Sequence, residues 1–507
     1  MEAIESLVTR TEERRQRVSA GLEAKARSEL GQFFTPSAAA KLIASMPQVP
    51  ESSTIRILDP GAGVGSLTVA LLERLTLKCW SGRVEITAVE LDPLVHPHLM
   101  ETLSDCKKVL PSFGIEIETE AINDDFIAIG TGVARESGPL QYGYDLVIMN
   151  PPYKKLRSTS PERLTMANEG VDCSNIYSAF IALSLMVLRP GGQLTAITPR
   201  SFANGPYFGQ FRRHLLNSVA LDRIHVFESR STVFSDTDVL QENIIFTATQ
   251  GGDPNCVTLS SSAGYADTPA VRVVPYSEVV KQADPHRFIH IPADESDTAT
   301  AETIANLPCQ LSDLNLKVST GKVVDFRARE HLRAQPEQGT VPLVYPGNLK
   351  SGRVVWPLPL RKAQAITDGP DTQKLLLPGE RFVLVNRFSA KEEKRRVVAV
   401  VYEPEDINAA RVGFENHLNV FHASEHGLIR DLAYGLCLWL NSSLVDKFFR
   451  TFSGHTQVNA TDLRSLRYPS RNQLISLGAA LGQGTWPDQE KIDSLVQAHI
   501  LKAEITS

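Results

Sequence analysis

Apolar and polar positions change period several times along the chain. Residues 1–30 are polar and of alternating charge, with Ile4, Leu7 and Val8 on one side of a predicted helical arm. From about 53 to 250, short β-branched runs alternate with helical stretches. The runs are Ile55–Leu58, Val84–Val89, Ile115–Glu118, Asp145–Met149, Gln193–Thr198, Ile224–Phe227 and Asn243–Thr247. Apolar strands separated by helices read as βα units, so this block predicts a mostly parallel sheet covered on both sides. Residues 251–310 are rich in Gly, Pro, Asp and Ser, which predicts a linker or small subdomain. From 311 to 507 the pattern is mixed, with a strand at 397–402 and an apolar helix around 427–449. The fold class expected is α/β in the first large block, followed by a mixed α+β domain.

Composition narrows the functional classes. Of 507 residues, 42% are hydrophobic and 22% charged, which suits globular domains and excludes wholesale disorder. The cysteines at 79, 106, 173, 256, 309 and 437 form no CxxC pair, and no histidines cluster, so neither a disulfide framework nor a structural metal is expected. The first residues lack the apolar stretch of a signal peptide, and no apolar run approaches the roughly 18 residues that cross a membrane, so a cytoplasmic protein is expected. The net charge of −6 is uneven: residues 311–470 hold 22 Lys and Arg against 17 Asp and Glu. That segment is locally basic on an acidic chain, and local charge sets the field a phosphate meets.

Two motifs carry chemistry. In Ile57-Leu58-Asp59-Pro60-Gly61-Ala62-Gly63-Val64-Gly65-Ser66, a buried strand ends in an acid, turns through three glycines and enters a helix. Gly61 and Gly63 let backbone approach a ligand without a Cβ in the way. The next strand ends in Glu90, an acid placed to accept both hydroxyls of a ribose. Asp59 would repel a diphosphate at that turn but suits a cationic ligand, which favours S-adenosylmethionine (AdoMet) over a dinucleotide. The strand Asp145–Met149 ends in Asn150-Pro151-Pro152-Tyr153. The prolines hold the backbone extended, so the Asn150 side-chain oxygen and the Pro151 carbonyl can each accept from one exocyclic amine. Two acceptors draw the nitrogen toward tetrahedral geometry and free its lone pair for in-line attack on a sulfonium methyl. Tyr153 offers a face on which an extruded base can stack.

With these residues the chain resembles the amino-group DNA methyltransferases whose motif order is cofactor, NPPY, target recognition, and among them the type II restriction–modification enzymes of the PstI and BsuBI kind. The resemblance covers most of 31–250 and implies a Rossmann-like class I methyltransferase domain with a seven-stranded sheet, then a target-recognition domain. It implies that Phe33, Thr35 and Pro36 of Gly31-Gln32-Phe33-Phe34-Thr35-Pro36 line the methionine end of AdoMet. Asp125, with Asp124 as the alternative, would accept from the cofactor's adenine amine, and Phe126 would pack on its ring. Phe208 would be the second stacking partner of the flipped base, with Phe202 and Tyr207 as rivals. Lys154, Lys155 and Arg157 follow the motif where a flanking phosphate would lie. More loosely, His455, Gln457 and Asn459 resemble target-recognition residues, and amides can pair with adenine edges. A helix-capping loop is the other reading of that stretch.

The implied activity is methylation of adenine N6 in duplex DNA, with S-adenosylhomocysteine as product, no metal, a CTGCAG-type palindrome as site and a separate cognate endonuclease. A monomer and a homodimer both fit a palindrome. An RNA or protein-glutamine methyltransferase with the same NPPY chemistry, or a silent DNA-binding subunit, are the alternatives. Three features are set aside as chance matches or solvated surface. Pro308-Cys309-Gln310 mimics a cytosine-methyltransferase nucleophile but lies far beyond the cofactor motifs. Pro370-Asp371 with Glu392-Glu393-Lys394 imitates a nuclease spacing, and Lys391, Lys394, Arg395 and Arg396 form a basic run.

Overall fold

The computed structural model describes residues 1–21, 34–131, 140, 142–227, 242–292, 294–358, 361–389, 393–452, 457–482 and 485–501. The chain divides into two compact units, Met1–Ile291 and Pro292–Ser507. In the first, a nine-stranded sheet has the order β3-β2-β1-β4-β5-β7-β6-β8-β9. Its strands are β1 (Thr54–Pro60), β2 (Gly82–Val89), β3 (Ile115–Ile122), β4 (Tyr144–Met149), β5 (Leu188–Pro199), β6 (Val219–Phe227), β7 (Asn243–Gln250), β8 (Cys256–Ser262) and β9 (Ala270–Pro275). β7 runs antiparallel between β5 and β6, and β9 antiparallel to β8; the other described pairings are parallel.

Each predicted apolar run lies in one of these strands. All six residues of β4 are buried, as a strand covered on both faces demands. On one face lie α1 (Glu2–Gly21), α2 (Ser37–Ser45), α3 (Ser66–Leu77) and α4 (His96–Val109). On the other lie α5 (Phe126–Gly130), α6 (Pro161–Asn168), α7 (Ile176–Val187) and α8 (Gly209–Ser218). The N-terminal arm packs here because Ile4, Leu7, Thr11, Arg14 and Val18 recur at helical spacing on one buried face. Its buried Arg14 donates to Glu101, Thr102 and Asp105 on α4 at 2.8–3.0 Å.

The structure differs from the sequence reading at residues 251–310. That segment holds β8 and β9, which extend the sheet from seven strands to nine, and the boundary between units falls at 291/292. Five of the six residues of β9 are not buried, so its sequence lacks the apolar run that marks a central strand. The second unit contains a six-stranded and a five-stranded sheet with helices after them. The apolar helix expected at 427–449 is two helices, Arg430–Leu440 and Ser443–Phe452. Asn441 stands at the break, and its amide pairs with both backbone groups of Ala399 at 2.8 and 3.2 Å. Gly435 lets the first helix touch helix Arg471–Ala479, since a Cβ there would lie 1.8 Å from the Leu474 carbonyl.

Candidate active site

Strand order reverses between β1 and β4, and open α/β sheets bind ligands in the crevice such a reversal leaves beyond the strand ends. The glycine turn after β1 borders that crevice. Gly61, Gly63 and Gly65 have φ of 77°, 58° and 89°, and a Cβ on Gly63 would come within 3.2 Å of the Phe34 ring. The turn is tied to the end of β2: the Gly61 and Ala62 amides donate to Val89 O at 2.9 and 2.8 Å, and the Gly63 amide donates to Glu90 Oε2 at 2.8 Å. Glu90 Oε1 accepts from the Asp92 amide at 2.8 Å. Burial raises the Glu90 pKa, with the nearby Asp92 charge acting in the same direction. One oxygen of this acid thus holds the glycine turn and the other the chain after β2, while the residue lines the cleft.

Asp59 is fully buried beneath the turn and does not line the cleft. Its Oδ2 accepts from the Thr68 hydroxyl at 2.6 Å, and its Oδ1 has no partner. Burial pushes its pKa up to about 7, and the Glu90 charge adds to the shift.

Around the crevice stand Phe34, Leu91, Asp124, Asp125, Phe126 and Phe180, with Asn150 and Pro152 at its β4 end. Asp125 Oδ1 caps α5 by accepting from the Ile127 amide at 2.8 Å, while Asp124 accepts from the Asp125 amide at 2.7 Å. The Phe126 ring packs 4.9 Å from that of Phe180. Phe180, inside α7, and Leu91, just after β2, escaped the sequence reading because an apolar residue carries no signature separating core from cleft. Phe33 lies outside the described residues; its neighbour Phe34 lines the cleft, and Pro36 precedes α2.

Asn150 is held at both ends of its amide. Nδ2 donates to Thr35 Oγ1 at 3.0 Å, and Oδ1 accepts from the Tyr153 hydroxyl at 2.9 Å. That hydroxyl also lies 3.2 Å from the Ile197 carbonyl, and burial holds its pKa well above the ordinary phenol value. Tyr153 meets Tyr177 edge-on at 6.3 Å, and Tyr177 stacks on Phe208 at 5.7 Å. Phe208 and Phe202 are both buried, whereas Tyr207 is 78% exposed. The aromatic given the second stacking role is therefore packed in the core, and the exposed ring is its neighbour.

The basic residues after Pro152 divide. Lys154 lines the cleft together with Glu162, while Lys155 and Arg157 do not; all three are exposed. In the second unit, Gln457 Oε1 accepts from the Arg387 guanidinium at 3.3 Å. Asn459 is the cap of helix Ala460–Ser465, its amide N–H donating to Asp462 Oδ2 at 2.9 Å, so the capping alternative describes it. His455, Lys391 and Glu392 lie outside the described residues. Cys309 exchanges backbone hydrogen bonds with Tyr468 at 3.1 and 2.8 Å, a structural use of that segment. Among the described residues no His, Cys, Asp or Glu group has metal-holding geometry, and no helix is long and apolar enough to cross a membrane.

Comparison with known proteins agrees with this geometry. The family profile of the Eco57I restriction-modification methylase matches residues 75–234. The chain is 42% identical over 489 residues to the type II methyltransferase M.PstI of Providencia stuartii, covering 95% of each. It is 43% identical over 460 residues to the type II methyltransferase M.BsuBI of Bacillus subtilis, covering 90% of each. Among solved structures, the type IIL restriction-modification enzyme MmeI, in complex with DNA, shares the fold with a TM-score of 0.57 at 10% identity, over 95% of this chain and 73% of that one.

Proposed function

The chain belongs to the type II DNA methyltransferases of restriction–modification systems, and on that premise we propose that it methylates the N6 amine of an adenine flipped out of duplex DNA, using AdoMet. The observation that carries this reading is the Asn150 amide fixed at the end of β4, beside a cleft floored by a glycine turn and flanked by acids. The residues fit AdoMet: Asp59 keeps an unpartnered buried oxygen beneath the turn, where a cation is favoured, and Gly63 leaves the room a side chain would fill. In this reading Glu90 faces the ribose, Asp125 the adenine amine, Phe126 and Phe34 the ring, and Thr35 and Pro36 the methionine end. When bound, AdoMet supplies an electrophilic methyl group on sulfur.

The chain's own part is to hold the nucleophile. Asn150 Oδ1 has a second lone pair beside the one that takes the Tyr153 proton, and the Pro151 carbonyl is a second acceptor. Together they accept both hydrogens of the target amine and localise its lone pair toward the methyl. Positioning and electrostatics then supply the acceleration, with no covalent intermediate. The Tyr153 ring covers one face of the extruded base, and Tyr207, the exposed neighbour of the buried Phe208, the other. Lys155 and Arg157 contact phosphate, Lys154 stands at the cleft, and the second unit reads a palindrome of the CTGCAG type. The reading places the enzyme in the cytosol beside a separate cognate nuclease.

Methylation-sensitive sequencing of DNA from a methylase-free host expressing the chain tests all of this together. N6-methyladenine at one short motif, absent with Asn150→Ala, is expected. Methylation of cytosine overturns the choice of base. An unmodified genome turns the assignment to RNA or protein substrates, or to a silent subunit.

A further inference from the structure

In the second unit four chain segments are stitched together at one place. Val323 bridges to Glu415, and the Asn416 amide donates to Val323 O at 2.9 Å. The Arg387 amide donates to His417 O at 2.9 Å, the Val458 amide donates to Arg387 O at 2.7 Å, and Phe388 bridges to Gln457. Loop 321–327, turn 415–417, the end of strand Phe382–Asn386 and the segment at 457–459 therefore lie side by side in one patch.

Two large apolar rings stand out on it, Phe326 at 70% and Phe388 at 46% exposure. The Arg327 guanidinium lies 5.4 Å over the Phe326 ring, and the Phe388 ring meets the His417 imidazole edge-on at 4.8 Å. The acids of the cluster are engaged from within. Glu415 is buried against His417 Nδ1 at 2.9 Å, and Asp325 takes the Lys362 ammonium at 2.7 Å and the Tyr345 hydroxyl at 2.8 Å. Arg387 grips the Asn416 carbonyl at 3.2 Å and the Gln457 amide oxygen at 3.3 Å, which anchors that amide by its oxygen. Cations, aromatic faces and an oriented amide are left outward, and the surrounding segment 311–470 is the basic part of the chain.

We propose that this surface reads base-pair edges in duplex DNA, with Gln457 and His417 as the hydrogen-bonding readers and Phe326 and Phe388 as apolar flanks against bases and sugars. Several features favour DNA over another macromolecule. A pre-oriented amide is the side chain that pairs bidentately with adenine. Cations beside it suit phosphates, and rigid rings close the edges of such a contact at low entropic cost. Asn459, by contrast, is committed to its helix cap, so Gln457 is the amide of this segment available for reading.

The inference rests on the reading of the chain as a DNA methyltransferase, and its test keeps the two apart. The full-length wild type and the variants Gln457→Ala, His417→Ala and Phe388→Ala are expressed in a methylase-free host. Their methylated motifs are sequenced, and duplex and AdoMet affinities are measured on the purified proteins. Gln457→Ala and His417→Ala are expected to relax the motif at a defined position, lowering preference for the cognate over a singly mismatched duplex by about tenfold or more. Phe388→Ala is expected to weaken duplex binding about fivefold or more, a stacking-scale loss. AdoMet affinity should stay within about twofold of wild type, which also reports an intact first unit. If the wild type modifies a motif and all three variants keep that motif and the wild-type duplex affinity, the surface is not the reader. An equal loss on every sequence with a reduced salt slope makes it a phosphate contact and likewise overturns base reading. A wild type that neither modifies nor binds duplex DNA overturns the functional reading itself, and this surface with it.

Discussion

Burial of Asp59 couples folding to pH, and replacing it with asparagine exposes that coupling. The carboxyl is fully buried with one oxygen on Thr68 and the other unpartnered, and burial holds its pKa at about 7 against an ordinary 3.8. Between those two values the folded chain keeps a proton that the unfolded chain has released. The stability this group contributes is therefore fully present below pH 3.8, declines as pH rises and is lost through about pH 7. About three pKa units at 1.36 kcal/mol each set the loss at roughly 4 kcal/mol. Asparagine keeps an acceptor for Thr68 and carries no charge to desolvate. Ligand-free Asp59→Asn should match the wild type near pH 4 and exceed it by as much as roughly 4 kcal/mol at pH 8. Urea unfolding of both proteins across this range is the assay. The burial shift of Glu90 is common to both proteins, while its coupling to Asp59 belongs to the Asp59 shift and disappears with the variant. AdoMet should then stabilise the wild type more than the variant at pH 7.5, because its cationic end favours the ionised carboxylate that only the wild type has. A difference in stability that stays constant from pH 4 to pH 8 would mean that Asp59 does not take up a proton on folding.

Other perturbations separate the roles assigned around the cleft. Asn150→Ala should lower single-turnover methyl transfer by about a hundredfold or more while AdoMet affinity stays near wild type; a matching loss of cofactor affinity would place Asn150 in cofactor binding instead. Thr35→Val removes the hydroxyl that Asn150 Nδ2 donates to and should cost about tenfold in that rate, with Thr35→Ser restoring it. If Tyr153 stacks on the extruded base, Tyr153→Phe should retain the fluorescence rise of 2-aminopurine at the target position and Tyr153→Ala should lose it; no rise with the wild type argues against base flipping. Lys155→Ala and Arg157→Ala should each weaken duplex binding equally across sequences and flatten the salt dependence by about one charge, and an unchanged salt slope would remove them from the interface.

Much of the fold and its chemistry is written locally. The run in β4 is buried at every position, and those of β1 and β5 nearly so toward their C-terminal ends, which only a strand covered on both faces tolerates. The glycine spacing marks a turn of positive φ, and two prolines after Asn150 force the chain to leave β4 extended. Such signals survive in one dimension because they reflect each residue's own conformational limits and its degree of burial. Weaker signals failed where burial is partial: β8 and β9 sit at a sheet edge, and their polar positions read as loop.

The tertiary structure decided who meets whom. Sheet order, which no local period encodes, brings Thr35 onto Asn150 across 115 residues and Gly63 onto Glu90 across 27. It also decided that Phe208 faces the core while Tyr207 faces solvent, that Asp59 lies under the turn rather than in the cleft, and that Asn459 caps a helix while Gln457 is held by Arg387. Adjacent aromatics and alternating amides carry the same information in sequence; they differ only in the neighbours that packing assigns them. Backbone conformation and burial are properties of a segment and can be read from it, whereas the partner of a buried polar atom is a property of the whole fold.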